Sequence, residues 1–247
     1  MITYNNSQTR LRLVAVVLLA AAAAAGGAYW WSGSDKHDGV VLSEEGKGLP
    51  GWPQASTGVP SPEAVLTPSV MADGRPSDVS QEDWDILKAI MAKQPNGQGQ
   101  AERIVSLLRY QNAFESWQGI EDSKDKQAYR RNMAKSLLAD LPERLTNGEF
   151  TLVETTLMAA ILIADIESDE DARNQALSQW QAKLNAIEPP TEDERLLTER
   201  SKPVELKRMQ ATAFAEWKAQ SNPAERTPAK LEQAMQEVLR SYNSGGK

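Results

Sequence analysis

Residues 151–166 read TLVETTLMAAILIADI, and this stretch does most to set the expected fold. Thr151 followed three residues later by Glu154 is a capping box, which marks the N-terminus of a helix. The apolar side chains that follow point in nearly every direction, a pattern typical of a helix that is covered on all sides. At about 15 residues the segment is shorter than the roughly 20 needed to cross a membrane. We therefore predict that residues 152–166 form the central helix of a helical body.

The sequence on both sides of this segment also predicts helices. Apolar residues recur at three- and four-residue spacings before and after it, which is the signature of amphipathic helices, and no hairpin signal predicts strands. The expected helix starts are Ser80, Gln100, Ser123, Ser168 with Asp171, Thr191 with Glu194, and Thr227. Pro142 predicts a kink or break and Pro203 a break, since proline removes a helix hydrogen bond. The fold class is all-α, either a multi-helix bundle or an extended helical clamp.

The N-terminus carries a membrane signal. Residues 13–31 are uncharged and follow Arg10 and Arg12, so the apolar run is about long enough to span a bilayer with its start in the cytoplasm. Tyr29, Trp30 and Trp31 fall where an aromatic belt would meet the far interface. We favour a retained transmembrane anchor over residues 13–31, with a cleaved signal peptide as the alternative. Residues 1–12 are then the cytoplasmic N-terminus.

Three further properties follow from this order of segments. Residues 32–76 are rich in glycine and proline and predict a disordered linker. Residues 77–243 are the expected helical domain, to which the resemblance described below assigns client binding. The predicted location is the inner membrane, crossed once, with the helical body in the periplasm.

Composition excludes several classes of function. The 247 residues include no cysteine and one histidine, His37 in the predicted linker, so disulfides, thiolate metal sites and Cys-His or Ser-His catalysis in the body are excluded. Removing Arg10 and Arg12 from a net charge of −7 leaves −9 for the exported part, which argues against nucleic acid as the partner. Phosphate-binding loops, Gly-x-Ser-x-Gly and His-Glu-x-x-His motifs are absent. We expect a non-enzymatic protein; a hydrolase using carboxylates alone is the remaining catalytic alternative.

One acidic cluster is a weak calcium candidate, and calcium is the one cofactor that the sequence brings into consideration. Its carboxylates are Asp165, Glu167, Asp169 and Asp171. Counted from Asp165, an EF-hand loop needs glycine at the sixth position and glutamate at the twelfth, where this chain has Glu170 and Ala176. The alternative is that acidic residues stabilise a helix N-terminus without any ion.

Aromatic side chains provide the candidate contact surface. Trp84, Trp117, Trp180 and Trp217 lie in the predicted body, where each belongs either to the core or to a partner surface. The segment from Arg109 to Trp117 combines arginine with aromatic residues, the types that dominate binding energy at interfaces. The predicted partner-binding residues are Arg109, Tyr110, Phe114, Trp117 and Trp217.

Several scattered segments carry a family resemblance. These are Pro76–Ser80 leading to Trp84, Arg103–Val105, Leu108–Gln111, Phe114–Trp117, Leu141–Leu145, Glu216–Trp217 and Leu231–Ala234. In these segments the chain resembles the phospholipase C accessory proteins, and its layout resembles the membrane-anchored lipase-specific foldases of Gram-negative bacteria. The Arg-x-x-Phe-Asp-Tyr signature of those foldases is absent.

The resemblance implies a function. It implies a periplasmic chaperone that binds a secreted phospholipase C or lipase and assists its folding or secretion, and it allows for calcium binding. The alternative is an envelope scaffold or assembly factor that binds other membrane proteins.

Overall fold

The computed structural model describes residues 66–94, 97, 99–121 and 123–244, and this part is all-α. It contains seven helices and no strand; a single bridge joins Val70 to Pro76. The helices are α1 Gln81–Met91, α2 Gln100–Gly119, α3 Gln127–Thr146, α4 Leu152–Ile166, α5 Glu170–Ile187, α6 Glu194–Lys218 and α7 Pro228–Asn243.

Side-chain caps begin five of the helices at or near the predicted residues, whereas α2 and α3 have no such cap and α3 begins at Gln127 instead of Ser123. Ser80, Thr151 and Thr227 cap α1, α4 and α7 as predicted, and Thr151 with Glu154 forms the full capping box. Asp169 caps α5 in place of Ser168 and Asp171, and Asp193 caps α6 in place of Thr191. These shifts are small because aspartate, serine and threonine all accept the free N–H groups of a first turn.

The predicted break at Pro203 is wrong, and Pro142 does not break its helix either, because α3 and α6 continue through both prolines. An interior proline costs a helix about 3 kcal/mol. In α3 the residues beyond Pro142 include Leu145, which is buried, and burying a leucine stabilises by roughly 1.5–3 kcal/mol. In α6 the burial of Val204 and of residues that follow it likewise offsets the cost of Pro203.

Helix α2 connects two groups of helices. It packs against α1, α3 and α6; α7 closes a ring by packing against α6 and α1. The second group is α3, α4 and α5, in which each helix packs against the other two. Ten of the side chains of α2 are buried, so α2 is the central helix of the described part.

The prediction that α4 is central and covered all round is therefore wrong. Its buried side chains are Thr155, Met158, Ala159, Leu162 and Ile163. On the opposite side Val153 is 63% exposed and Leu157 is 39% exposed. Since α4 packs against two helices that both lie on its buried side, one side of an apolar helix remains uncovered.

The predicted linker 32–76 extends too far towards the body. Leu66 is buried and Arg75 donates a hydrogen bond to the carbonyl oxygen of Val79. The backbone N–H of Met71 also donates a hydrogen bond to the carbonyl oxygen of Arg75, at 2.8 Å. The last residues of the predicted linker are thus part of the folded body.

The predicted anchor 13–31, the start of the linker and His37 lie outside the described residues. Within residues 66–244, no described helix combines the length and the apolar character that a membrane span requires.

Candidate protein-interaction surface

The five predicted partner-binding residues are buried in the helical body. Arg109, Tyr110, Phe114, Trp117 and Trp217 are 8%, 0%, 7%, 1% and 5% exposed. The first four face the neighbours of α2, and the fifth lies on α6. A docking protein would reach them only if the fold opened, so the structure places these side chains in the core and not on the expected contact surface.

Tyr110 occupies the middle of this core. Its ring stacks on Phe114 with centroids 6.5 Å apart, and packs at a tilt on Phe150 with centroids 5.5 Å apart. Its hydroxyl donates to the carbonyl oxygen of Leu137, at 3.2 Å. Burial raises the pKa of Tyr110 well above its usual value, so the phenol acts as a neutral hydrogen-bond donor.

Trp117 and Asp165 belong to one polar cluster. The indole Nε1 donates to Oδ2 of Asp165 at 3.0 Å, and Nε of Arg130 donates to Oδ1 of the same carboxylate at 2.8 Å. The guanidinium of Arg130 also lies 5.3 Å from the centre of the Trp117 ring. Both oxygens of Asp165 are therefore engaged by groups on α2 and α3.

The other calcium candidates do not join Asp165. Asp169 accepts the N–H of Ala172 as the helix cap, and Asp171 is exposed in the same first turn. Across the described ranges, no group of three or more histidine, aspartate or glutamate side chains is placed to hold a metal ion. The structure thus does not assemble Asp165, Glu167, Asp169 and Asp171 into a calcium site.

Arg109 and Trp217 have structural partners as well. The guanidinium of Arg109 donates two hydrogen bonds to the carboxylate of Asp78, at 2.7 and 2.8 Å. Such a bidentate pair fixes the orientation of both side chains. Trp217 donates from Nε1 to the oxygen of Thr227 at 3.0 Å. These contacts hold the segment before α1 onto α2 and the start of α7 onto α6.

A buried ionic junction joins α2, α3 and the turn before α4. The guanidinium Nη1 of Arg144 donates to the carboxylate of Glu149 and to the hydroxyl of Ser106, each at 2.8 Å. The same guanidinium forms an ion pair with Asp140. Burial raises the pKa of Glu149, although the charge of Arg144 and its hydrogen bond lower it. Lys207 of α6 donates to the oxygens of Asn147 and Gly148 in the same turn. Sequence patterns did not indicate this junction, because its members lie on three different elements.

The cavities of the described part offer little enclosure. An open cleft of about 320 Å³ lies between Leu66 with Thr67 and the α3 residues Lys135, Ser136, Ala139 and Asp140. A second depression, beside Glu149 and Lys207, is too narrow for a water molecule. Small-molecule sites are enclosed and large enough to bury a ligand; the cleft is open, and the depression has no room for one.

Uncovered apolar residues form the best candidate for a functional surface. On α5 and α6 these are Ile187, Leu196 and Leu197, which are 38%, 41% and 44% exposed; we name them the α5–α6 tip. On α4 they are Val153 and Leu157. The sequence did contain the signal for the second set, since a helix that is apolar all round needs more neighbours than α4 has.

Comparison of the chain with protein-family models, with curated proteins and with solved structures found no match.

Proposed function

We propose that this protein is a non-enzymatic, membrane-anchored accessory protein of the periplasm that binds a secreted phospholipase C or lipase. It assists the folding or secretion of that client by binding its folded form more tightly than its unfolded forms, which stabilises the folded form by mass action. The observation that carries the proposal is the uncovered α5–α6 tip. The helices act as a clamp, with the tip as the part that contacts the client.

The tip continues the packed faces of its two helices. Leu197 precedes the buried Val204 by seven residues, which is two helical turns, so both lie on the same side of α6. Ile187 follows the buried Leu184 by three residues on α5. The faces that form the core thus run on to residues that no described element covers, and a partner that packs there extends an existing core.

Polar groups surround these apolar residues. Arg200 donates to the carbonyl oxygen of Pro189 at 2.9 Å and pairs with Glu188 at 3.4 Å, which ties α6 to the end of α5. Arg195 and Glu199 are exposed beside the leucines. An apolar centre within a charged rim is the usual anatomy of an interface between proteins that also exist apart.

The described chemistry supports a binding role. Of the carboxylates that the sequence singled out, Asp165 is paired with Arg130 and Asp169 caps helix α5. Catalysis by carboxylates alone needs a pair that faces a shared cleft. Asp140 is the one carboxylate that lines the 320 Å³ cleft. It forms an ion pair with Arg144, with nitrogen and oxygen 2.7 Å apart.

The test is a secretion assay with a phospholipase C and a lipase from the same organism. Each enzyme is expressed with the full chain, with a Leu196→Ser/Leu197→Ser variant, or without the protein. We expect the tip variant to lower the secreted activity of one enzyme at least about fivefold, equivalent to about 1 kcal/mol of binding, with unchanged helicity and accumulation.

The matched control is Val153→Ser/Leu157→Ser, which removes two exposed apolar residues from α4 and should leave secretion unchanged. Equal secretion of both enzymes with and without the protein would contradict the proposal. Capture of membrane proteins through the tip, without any effect on either enzyme, would favour the envelope scaffold instead.

A further inference from the structure

Helix α4 exposes a continuous uncharged face. Val153, Leu157, Ala160 and Ala164 lie at steps of four, three and four residues and so share one side of the helix; we name them the α4 outer face. This side lies opposite the buried Met158, Leu162 and their neighbours. Val153 and Leu157 are 63% and 39% exposed, Ala164 is exposed and Ala160 is half-buried.

The charges beside this face are already neutralised. The carboxylate of Glu154 accepts two hydrogen bonds of 2.8 Å from Arg208. The carboxylate of Asp165 accepts hydrogen bonds from Arg130 and Trp117. The neighbouring helix α5 has mostly uncharged residues on its outward side, where Gln175, Ser178, Gln179, Ala182 and Ala186 are exposed; its exposed charges there are Asp171 in the first turn and Lys183. A strongly charged partner would therefore find few groups to pair with here.

This composition distinguishes the α4 outer face from the α5–α6 tip. The tip has a charged rim, whereas α4 presents apolar residues without one. Interfaces between identical subunits are more apolar, at about 65% of their area, and depleted of charge in their core. A charge-free face also brings no like charges together when it meets its own copy.

The two halves of the face are complementary in size. The N-terminal half carries the larger residues Val153 and Leu157, and the C-terminal half carries Ala160 and Ala164. If two copies of α4 pack antiparallel about a twofold axis between Met158 and Ala159, Leu157 lies opposite Ala160 of the second copy. The same axis places Val153 opposite Ala164 of the second copy, so one register satisfies both pairs.

We propose that the α4 outer face is a homodimer interface, in which α4 of one copy packs antiparallel on α4 of another. The overlap extends over the whole helix, roughly 22 Å at 1.5 Å per residue. Because one helix pair covers less than the about 800 Å² per partner of a standard interface, the dimer is weak and reversible, and the outward side of α5 adds to its edge. This inference does not depend on the proposed client.

Single cysteines test the register, because the chain has none of its own. The full chain is purified in detergent, and variants are treated with a short bismaleimide crosslinker. Mixed Val153→Cys and Ala164→Cys chains should crosslink to each other, as should Leu157→Cys with Ala160→Cys. Ala164→Cys alone should not, because in this register its two copies lie roughly 16 Å apart along the helix axis.

The matched solution measurement is sedimentation over a range of concentrations. Leu157→Asp should weaken dimerisation at least about tenfold, since a charge would be buried against alanine, while Leu196→Ser at the tip should leave it unchanged. A chain that stays monomeric at the highest concentration, crosslinking of Ala164→Cys with itself, or crosslinking of α4 only to a secreted enzyme would each overturn the proposal.

Discussion

Helices α2 and α4 both carry many apolar side chains but have opposite surroundings. Helix α2 carries charged and polar residues between its apolar ones, yet ten of its side chains are buried and three helices pack against it. Helix α4 is the more uniformly apolar, yet five of its side chains are buried and Val153 and Leu157 are exposed. Apolar content thus indicates that a helix needs cover, but it does not indicate which helix becomes central.

Directional bonds account for the difference. Arg109, Tyr110 and Trp117 of α2 each bond to a partner on another segment: Asp78, the oxygen of Leu137, and Asp165. A buried polar group without a partner costs about 1–3 kcal/mol, so these bonds fix which neighbours α2 can have. The α4 outer face carries no polar side chain that would fix a neighbour within the chain.

The largest expected effect is the loss of Trp117. Replacing it by alanine removes a buried ring, the bond to Asp165 and the contact with Arg130. We expect Trp117→Ala to lower the free energy of unfolding by about 4 kcal/mol, measured by urea denaturation. Trp180→Ala, at a half-buried position on α5, should cost less than half as much. Equal losses would show that α2 is not the more tightly packed region.

Breaking the Arg144 junction should have the next largest effect. Arg144→Met leaves Glu149, which is 1% exposed, without its charged partner, and removing one member of a buried pair costs about 3 kcal/mol. Arg144→Met/Glu149→Leu should recover most of this loss in the same denaturation measurement. If the double variant is as unstable as the sum of the single variants, the two side chains do not act as a pair.

Local signals predicted the helices well. The caps at Ser80, Thr151 and Thr227 were correct because a capping bond involves residues three apart in sequence. Neither Pro142 nor Pro203 breaks its helix, because tertiary packing outweighs a local cost, and packing partners are distant in sequence. The centrality of α2 depends on α6, which follows it by about 75 residues, and no periodicity reports such a contact.

The exposure of individual side chains was predicted less well for the same reason. Arg109 and the aromatic residues of α2 have the composition of an interface, but that composition also suits a core with satisfied polar atoms. Only the positions of Asp78 and Asp165 decide between the two. Leu196 and Leu197 are likewise exposed because they lie in the N-terminal part of α6, before its buried residues begin at Val204.

A pH series compares the two glutamates that flank the start of α4. Burial alone would raise the pKa of Glu154, but hydrogen bonds and charge from Arg208 and bonds from Thr151 outweigh it and hold the pKa below 4.5. Its stabilising contribution is therefore present above pH 4.5 and is lost as the pH falls through the folded pKa. Glu154→Gln should cost about 2 kcal/mol at pH 7, and this difference from the wild type should shrink below pH 4.5.

Glu149 should show the opposite trend. Its pKa is raised above 4.5 by burial, so its contribution is fully present below pH 4.5 and is lost as the pH rises through the folded pKa. The stability of the wild type relative to Glu149→Gln should thus fall between acidic and neutral pH. Glu143→Gln, at an exposed position, serves as the control for the substitution itself. Trends of the same sign for Glu149 and Glu154 would contradict the assignment.

The smallest expected effect is at the α4 outer face itself. In dilute solution, where the proposed dimer dissociates, Val153→Ser/Leu157→Ser should change the free energy of unfolding by less than about 0.5 kcal/mol, because exposed positions contribute little packing. Met158→Ser on the buried side of the same helix should cost several times more. If the two exposed substitutions destabilise the dilute monomer as much as Met158→Ser, this side of α4 is covered within one chain and is not available to a second copy. If they matter only as the protein concentration rises, the uncovered side contributes through association.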